Sequence, residues 1–339
     1  MSIFEKYQSR FETTQQAEMS LEEYLIGCSE DNSMYATAAE RLLMAIGEPE
    51  MVDTSKDPRL SRIFSNKVIK TYPTFDGFYG MEEAIESVVS FLRHAAQGLE
   101  EKKQILYLLG PVGGGKSSLA EQLKLLMEKV PFYALKGSPV NESPLGLFDP
   151  EQDAGEMQER YGISVRYLRT IPSPWAVKRL KEYGGDISKF RVVKLWPSRL
   201  NQLAVAKTEP GDENNQDISS LTGKVDIRKL EEFSQDDPDC YSFSGGLCLA
   251  NQGLLEFVEM FKAPIKVLHP LLTATQEGNY KGTEGISAIP FDGIVLAHSN
   301  ESEWQSFKSN RNNEAFLDRV LIVKVPTSPP PPSVGTPPP

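Results

Sequence analysis

Three cysteines in 339 residues (Cys28, Cys240 and Cys248) form no CxxC pair and no Cys/His cluster. Neither a disulfide framework nor a structural zinc site is expected, and such sparse use fits reduced thiols in a cytosolic protein. Histidine is equally scarce. His94, His269 and His298 lie far apart and make no HExxH, and no G-x-S-x-G elbow occurs, which removes the usual signatures of a zinc peptidase or a serine hydrolase. No run of some 18 apolar residues is present, so no membrane span is expected. No early apolar stretch follows Met1, so no signal peptide is expected either. Positive charge is also short: 36 basic against 47 acidic residues give a net charge of -11. A general nucleic-acid or acidic-membrane binder needs a basic face, so neither partner is expected.

The hydrophobic fraction of 40% suffices for a sizeable core. Leu21 to Ile26 and Ala38 to Ile46 carry apolar residues three and four apart and read as helix, until Gly47-Glu48-Pro49 breaks the pattern. Residues 50 to 75 read as a connector. Gly80-Met81-Glu82-Glu83 opens an amphipathic stretch to about Gln97, with Ile85, Val88, Val89 and Leu92 on one face. A short apolar strand, Ile105 to Leu109, runs into a glycine loop, followed by a helix carrying Leu119, Leu123, Leu126 and Met127. Strands are expected at Phe132 to Leu135, Gly246 to Ala250, Ile294 to Ala297 and Val320 to Val325. Residues 150 to 240 are more polar, with acidic runs Glu209 to Asp217 and Glu231 to Asp239, and read as an insertion outside the sheet. The alternation predicts an α/β fold: a mainly parallel five-stranded sheet with flanking helices, an N-terminal helical segment and a polar insertion. The last 13 residues, Thr327 to Pro339, are mostly proline and read as an extended or disordered tail. Its abrupt start after an ordinary strand predicts a chain cut short.

The chemistry is concentrated in Gly110-Pro111-Val112-Gly113-Gly114-Gly115-Lys116-Ser117-Ser118. Gly110, Gly115, Lys116 and Ser117 satisfy G-x-x-x-x-G-K-[ST] in the context it requires, strand before and helix after. Glycines let backbone N–H groups turn toward phosphate oxygens, and the helix N-terminus adds positive partial charge. Lys116 would reach the β and γ phosphates, and the Ser117 hydroxyl would ligate Mg²⁺. No guanine-reading NKxD motif is present, so the expected ligand is Mg·ATP.

The surrounding segments resemble the AAA+ ATPases, in particular the clade with a hairpin before its sensor strand. Phe78-Tyr79-Gly80-Met81-Glu82-Glu83 resembles the element that packs on the adenine. Ile294 to Asn300 looks like the sensor-1 strand, which implies that Asn300 contacts the γ-phosphate or the attacking water. Arg319, just before the last strand, falls where this superfamily carries its arginine finger, which implies a homo-oligomer closed through Arg319. Where the superfamily has four apolar residues and then Asp-Glu, the sequence offers Gly246-Leu247-Cys248-Leu249-Ala250-Asn251. Ala250 cannot ligate a metal-bound water, and Asn251 cannot act as base. Glu256 or Glu259, on a helix-like run from Gln252 to Phe261, is the expected substitute, or else a solvated helix face.

A closer resemblance rests on several stretches together: Gly80 to Ile85, His94-Ala95-Ala96-Gln97-Gly98, Gly110 to Ser118 and Glu209 to Asp217. Glu256 to Met260, Thr275-Gln276-Glu277-Gly278-Asn279, and His298 to Glu301 through Asn312 to Ala315 agree as well. Over nearly the whole chain to about Pro326 the sequence is similar to the PrkA family of bacterial serine protein kinases. The resemblance implies three regions: 1–66 helical, 67–326 an AAA+ ATP-binding domain with an insertion at about 150–240, and 327–339 the proline tail. It also implies a cytoplasmic protein of stress and nutrient responses that transfers phosphate from ATP to Ser/Thr of a protein substrate, and makes the altered acidic segment a family trait. The family's helical lid and C-terminal kinase-like region are not found in this sequence, and neither are HRD, DFG or VAIK. Two other readings follow from the same residues: an AAA+ ATPase that remodels proteins or serves proteolysis, and a nucleotide sensor that does not hydrolyse.

Overall fold

The computed structural model describes residues 3–5, 17–56, 60–61, 64–209, 217–283, 285–310 and 313–326. Its centre is a five-stranded sheet: β1 (Ile105–Leu109), β2 (Val205–Thr208), β3 (Leu254–Val258), β4 (Ile294–Ser299) and β5 (Val320–Lys324). They lie side by side in the order β5-β1-β4-β3-β2, and every pairing is parallel. Register puts Val258 beside His298, His298 beside Leu108, and Leu109 beside Ser299 and Lys324. The C-terminal ends of β1, β3, β4 and β5 therefore form one edge, where open parallel sheets bind ligands.

Both faces of the sheet are covered. In β1, Leu106 and Leu108 face a cluster with Val88 and Leu92 of helix α1 (Glu82–Ala96) and Leu119 and Leu123 of α2 (Lys116–Met127). Ile105, Tyr107 and Leu109 face the other way, toward Leu268 and Leu271 of α3 (Ile265–Glu277) and Trp304 of α4 (Glu301–Ser309). A strand buried on both faces reads as an unbroken apolar run, as Ile105 to Leu109 does. Each fully buried Leu or Phe contributes about 1.5–3 kcal/mol. The N-terminal helices Leu21–Glu30 and Ala38–Ile46 each begin at a capping box, Ser20 with Glu23 and Thr37 with Glu40, which fixes where they start.

Several expectations require correction. Gly246–Leu249 is one turn of helix, not a strand. Leu247 and Cys248 are apolar because they are buried, and a run this short looks the same in either state. Asn251 then fixes the turn: its Nδ2 donates to the Val140 carbonyl at 2.9 Å, and its Oδ1 accepts from the Asp292 N–H at 2.9 Å. Second, the Gln252 to Phe261 run is not helical. It contains β3, a central strand of the sheet, followed by a short 3-10 turn at Met260–Lys262. Third, the 150–240 segment does join the sheet, since Val205–Thr208 is its edge strand. An edge strand keeps one side exposed, so Lys207 and Thr208 make it read as polar. Fourth, Phe132–Leu135 is a strand but pairs antiparallel with Arg191–Leu195 in a separate three-stranded sheet that also takes Glu18–Ser20. The supposed connector holds a hairpin of Glu50–Asp53 with Val68–Thr71. The proline tail and most of the Glu209 to Asp217 run lie outside the described residues.

Candidate functional site

The glycine loop bridges the end of β1 and the start of α2. Gly113 and Gly115 take φ of +77° and +82°, which side chains disfavour. A Cβ on Gly110 would lie 2.3 Å from the Val325 carbonyl oxygen, so only glycine lets the chain pass β5 here. The first helical hydrogen bond of α2 runs from the Leu119 N–H to the Gly115 carbonyl at 2.9 Å. The N–H groups of Lys116, Ser117 and Ser118 thus have no carbonyl a turn behind them, and they form an anion-binding helix terminus. Lys116 is buried, and its Nζ donates to the Gly110 and Pro111 carbonyls at 2.9 and 2.7 Å. Burial pushes its pKa down, and the Glu303 carboxylate opposes that shift. Ser117 and Ser118 are exposed and Val112 stands in solvent. The cradle fits a polyphosphate, and the exposed Ser117 hydroxyl fits a place in the shell of its metal ion.

The neighbouring strand end supplies the polar wall. Asn300 follows β4 and caps α4: its Oδ1 accepts the Glu303 N–H at 2.9 Å, and its Nδ2 donates to Glu303 Oε1 at 2.9 Å. Lys262 lies 3.6 Å from the same Glu303 oxygen and 2.8 Å from Glu259. Tyr107 and Ser299 hydrogen-bond beneath them. At the end of β3, where the superfamily pattern has Asp-Glu, the chain has Val258 and then Glu259, the latter half exposed and at φ +48°. Glu303 was not singled out by the sequence reading. The spacing from Asn300 to Glu303 is that of a helix-capping pair and was the available signal.

Glu256 is not part of this wall. It lies two residues before the end of β3 and is buried, its carboxylate taken up by Lys124 Nζ at 2.5 Å and His298 Nε2 at 3.0 Å. Burial pushes its pKa up, but the hydrogen bonds from His298 and Lys124 outweigh that and hold the carboxyl below its usual range. The triad joins α2, β3 and β4, the three elements that carry the loop, the strand-end acid and Asn300. Arg319 is at the far end of the sheet: its carbonyl accepts the Ile105 N–H at 2.8 Å. The five residues of β1 put its backbone about 16 Å from the start of the glycine loop, at about 3.3 Å per residue. The hairpin expected before β4 is present as Asn279–Lys281 paired with Ala288–Pro290, while α3 extends through Glu277. A cleft of about 210 Å³ also opens away from the glycine loop, lined in part by Lys102, Arg166 and Asp292. Two of its cations have ion-pair partners, Lys102 with Asp292 at 3.4 Å and Arg166 with Glu40 at 2.7 Å.

A parallel sheet in this order, with a glycine loop after β1 and a polar strand end at β4 beside it, defines a P-loop nucleotide-binding module of the AAA+ type. The sequence pattern of the PrkA AAA domain matches residues 19–328, and the chain belongs to the PrkA family. It is 70% identical over 330 residues to the serine/threonine kinase YeaG of Escherichia coli (strain K12), covering 96% of this chain and 51% of that protein. It is 38% identical over 300 residues to the ATP-dependent protease PrkA of Bacillus subtilis (strain 168), covering 84% of this chain and 47% of that one. The chain thus spans about half the length of the curated relatives it matches. Among solved structures it resembles the BchI–BchD complex of magnesium chelatase, at 18% identity and a TM-score of 0.43, covering 74% of this chain and 60% of that one. Among the described residues, no helix is long and apolar enough to cross a membrane.

Proposed function

We propose that this chain is the Mg·ATP-binding module of a PrkA-type serine/threonine protein kinase, acting on a protein substrate. The observation that carries the reading is the glycine cradle, with Lys116 held at its mouth and Ser117 open to solvent. Residues 110 to 118 wrap the phosphates. Lys116 leaves the Gly110 and Pro111 carbonyls for the β and γ oxygens, and the Ser117 hydroxyl turns to the metal ion. Mg²⁺ held there with the Ser117 hydroxyl would supply positive charge against those phosphates. Asn300 faces the γ-phosphate side from the end of β4, and Glu259 is the strand-end carboxylate available as base. Glu256 enters as a support for the β4 strand rather than as the base. Arg319, at the far end of the sheet, serves a neighbouring copy's nucleotide in a homo-oligomer, since it is too far to serve its own. The protein works in the cytoplasm, a place consistent with three buried, unpaired cysteines.

A second reading, ATP-driven remodelling or proteolysis of proteins, is favoured by the Asn279–Lys281 and Ala288–Pro290 hairpin. It also agrees with the name of the Bacillus relative. Labelled ATP and casein separate the two: the kinase reading expects label on casein, and the other expects ATP-dependent casein fragments. Absence of label with this chain and with a full-length relative would end the first reading. Arg319→Ala should keep ATP affinity and lose turnover, and mixing it with Lys116→Ala protein should restore some of that turnover in shared rings. Unchanged turnover in Arg319→Ala alone would remove the trans role.

A further inference from the structure

The end of β3 leaves the site short of an acid. Val258 has no ligating atom, and the Glu259 carboxylate is half exposed and paired with Lys262 at 2.8 Å. A fixed carboxylate is nonetheless present on the adjoining element. Glu303 is the third residue of α4, in its first turn, and its side chain is only 15% exposed. Asn300 locks it from two sides, through the Glu303 N–H and through Oε1. Its other oxygen, Oε2, is buried and has no hydrogen-bond partner. A buried carboxylate oxygen without a partner is costly and marks a place where a ligand, ion or water belongs. Glu303 also acts electrostatically on Lys116, Tyr107 and Lys262, so its charge is felt where the phosphates would enter.

We propose that Glu303 supplies the carboxylate of the metal–water shell on the γ-phosphate side of this site, in place of the acid missing at Val258. Mg²⁺ keeps several waters when it binds nucleotide, and a carboxylate held behind them orients them without direct ligation. The free Oε2 is an acceptor for such a water, and the Asn300 clamp on Oε1 fixes the direction of the other oxygen. The acid is thus moved from the third strand to the helix that follows the fourth, so that a chain with Val258 at the strand end keeps a negative group on the side where the metal would sit. This inference rests on the ATP-binding reading above.

The test compares the affinity of the non-hydrolysable analogue AMP-PNP with Mg²⁺ and with EDTA, by calorimetry, in the wild type and in Glu303→Gln. Outer-shell carboxylates are worth about 10–100-fold in metal affinity, so the wild type should favour the Mg²⁺ form by at least about tenfold. In Glu303→Gln that advantage should shrink to about twofold or less, while metal-free AMP-PNP binds as well as before or more tightly, because a negative charge beside Lys116 is gone. Glu301→Gln, which neutralises an exposed carboxylate on the same helix turn, should keep the full advantage. A purely structural role would weaken both forms together, and that result overturns the proposal, as does a retained tenfold advantage. Should Glu303→Gln fail to fold, Glu303→Asp decides in its place: it keeps the charge, retracts the oxygens by one methylene, and should lose the Mg²⁺ advantage equally. A wild type that binds neither form refutes the nucleotide reading itself. A wild type with the advantage and a Glu303→Gln that retains it refutes only the role of Glu303.

Discussion

Neutralising Glu256 separates a structural acid from a catalytic one. In Glu256→Gln, Lys124 keeps a charge in a site where its side chain is 5% exposed, with only the half-exposed Glu121 at 2.5 Å to balance it. Breaking a buried ion pair from one side costs about 3–5 kcal/mol. The surviving Glu121 contact puts the expected loss near the lower end, about 3 kcal/mol. For a chain of this size that is a fall in Tm of about 6 °C, at about 2 °C per kcal/mol. Replacing both partners, Lys124→Met with Glu256→Met, should recover most of the loss, because no unpaired charge is left behind. The pH dependence has a definite sign. The Glu256 carboxyl is held below its usual 4.5, so its contribution is fully present above about 4.5 and is lost as pH falls through the lower folded value. The gap in Tm between wild type and Glu256→Gln should therefore be constant from pH 6 to 8 and narrow below about pH 4.5. Thermal denaturation followed by circular dichroism, with ATP turnover assayed well below Tm, decides the matter. Turnover abolished with Tm unchanged would refute the structural assignment and return Glu256 to the role of base.

Further outcomes follow from other sites. Lys116→Ala should weaken ATP by about 10–150-fold, the 1.5–3 kcal/mol of a hydrogen bond to a charged group, as read by calorimetry; unchanged affinity would remove the basis of every nucleotide-dependent claim. Gly253→Ala would place a Cβ 1.6 Å from the Ala204 carbonyl oxygen, which the Leu254 N–H bonds at 2.9 Å. The edge strand β2 must then part from β3, and a loss above about 3 kcal/mol is expected; normal yield and Tm would contradict that. Thr37→Ala removes the cap of the Ala38–Ile46 helix and should cost about 1 kcal/mol in urea titrations. Burial pushes the thiol pKa of Cys28 up to about 12 and that of Cys248 up to about 11. Native protein at pH 8 should therefore resist iodoacetamide at both, with labelling only after denaturation.

The glycine loop was legible in the sequence because its chemistry is local. Gly113 and Gly115 need their backbone angles, Lys116 and Ser117 need the helix start, and all of them lie within nine residues of one another. The strands β1 and β4 were legible for a similar reason: burial on both faces makes Ile105 to Leu109 and Ile294 to Ala297 continuous apolar runs. Sequence alone also carried the family resemblance. The identity of the third strand was decided only by the tertiary structure. Gly246 to Ala250 and Leu254 to Val258 are both short and apolar, and the polar Glu256 makes the true strand look less like one. Only the assembled sheet supplies Lys124 from α2 and His298 from β4, which allow a carboxylate inside a central strand. The Glu303 carboxylate belongs to the same kind of fact. Its spacing from Asn300 announced a helix cap, but a buried, unpartnered carboxylate oxygen whose charge acts on Lys116 depends on residues nearly 190 positions apart being folded together. The loop that first suggested a nucleotide is thus a property of the sequence, while the acids around it are a property of the packed sheet, because the burial and partners of a charge are set by distant residues.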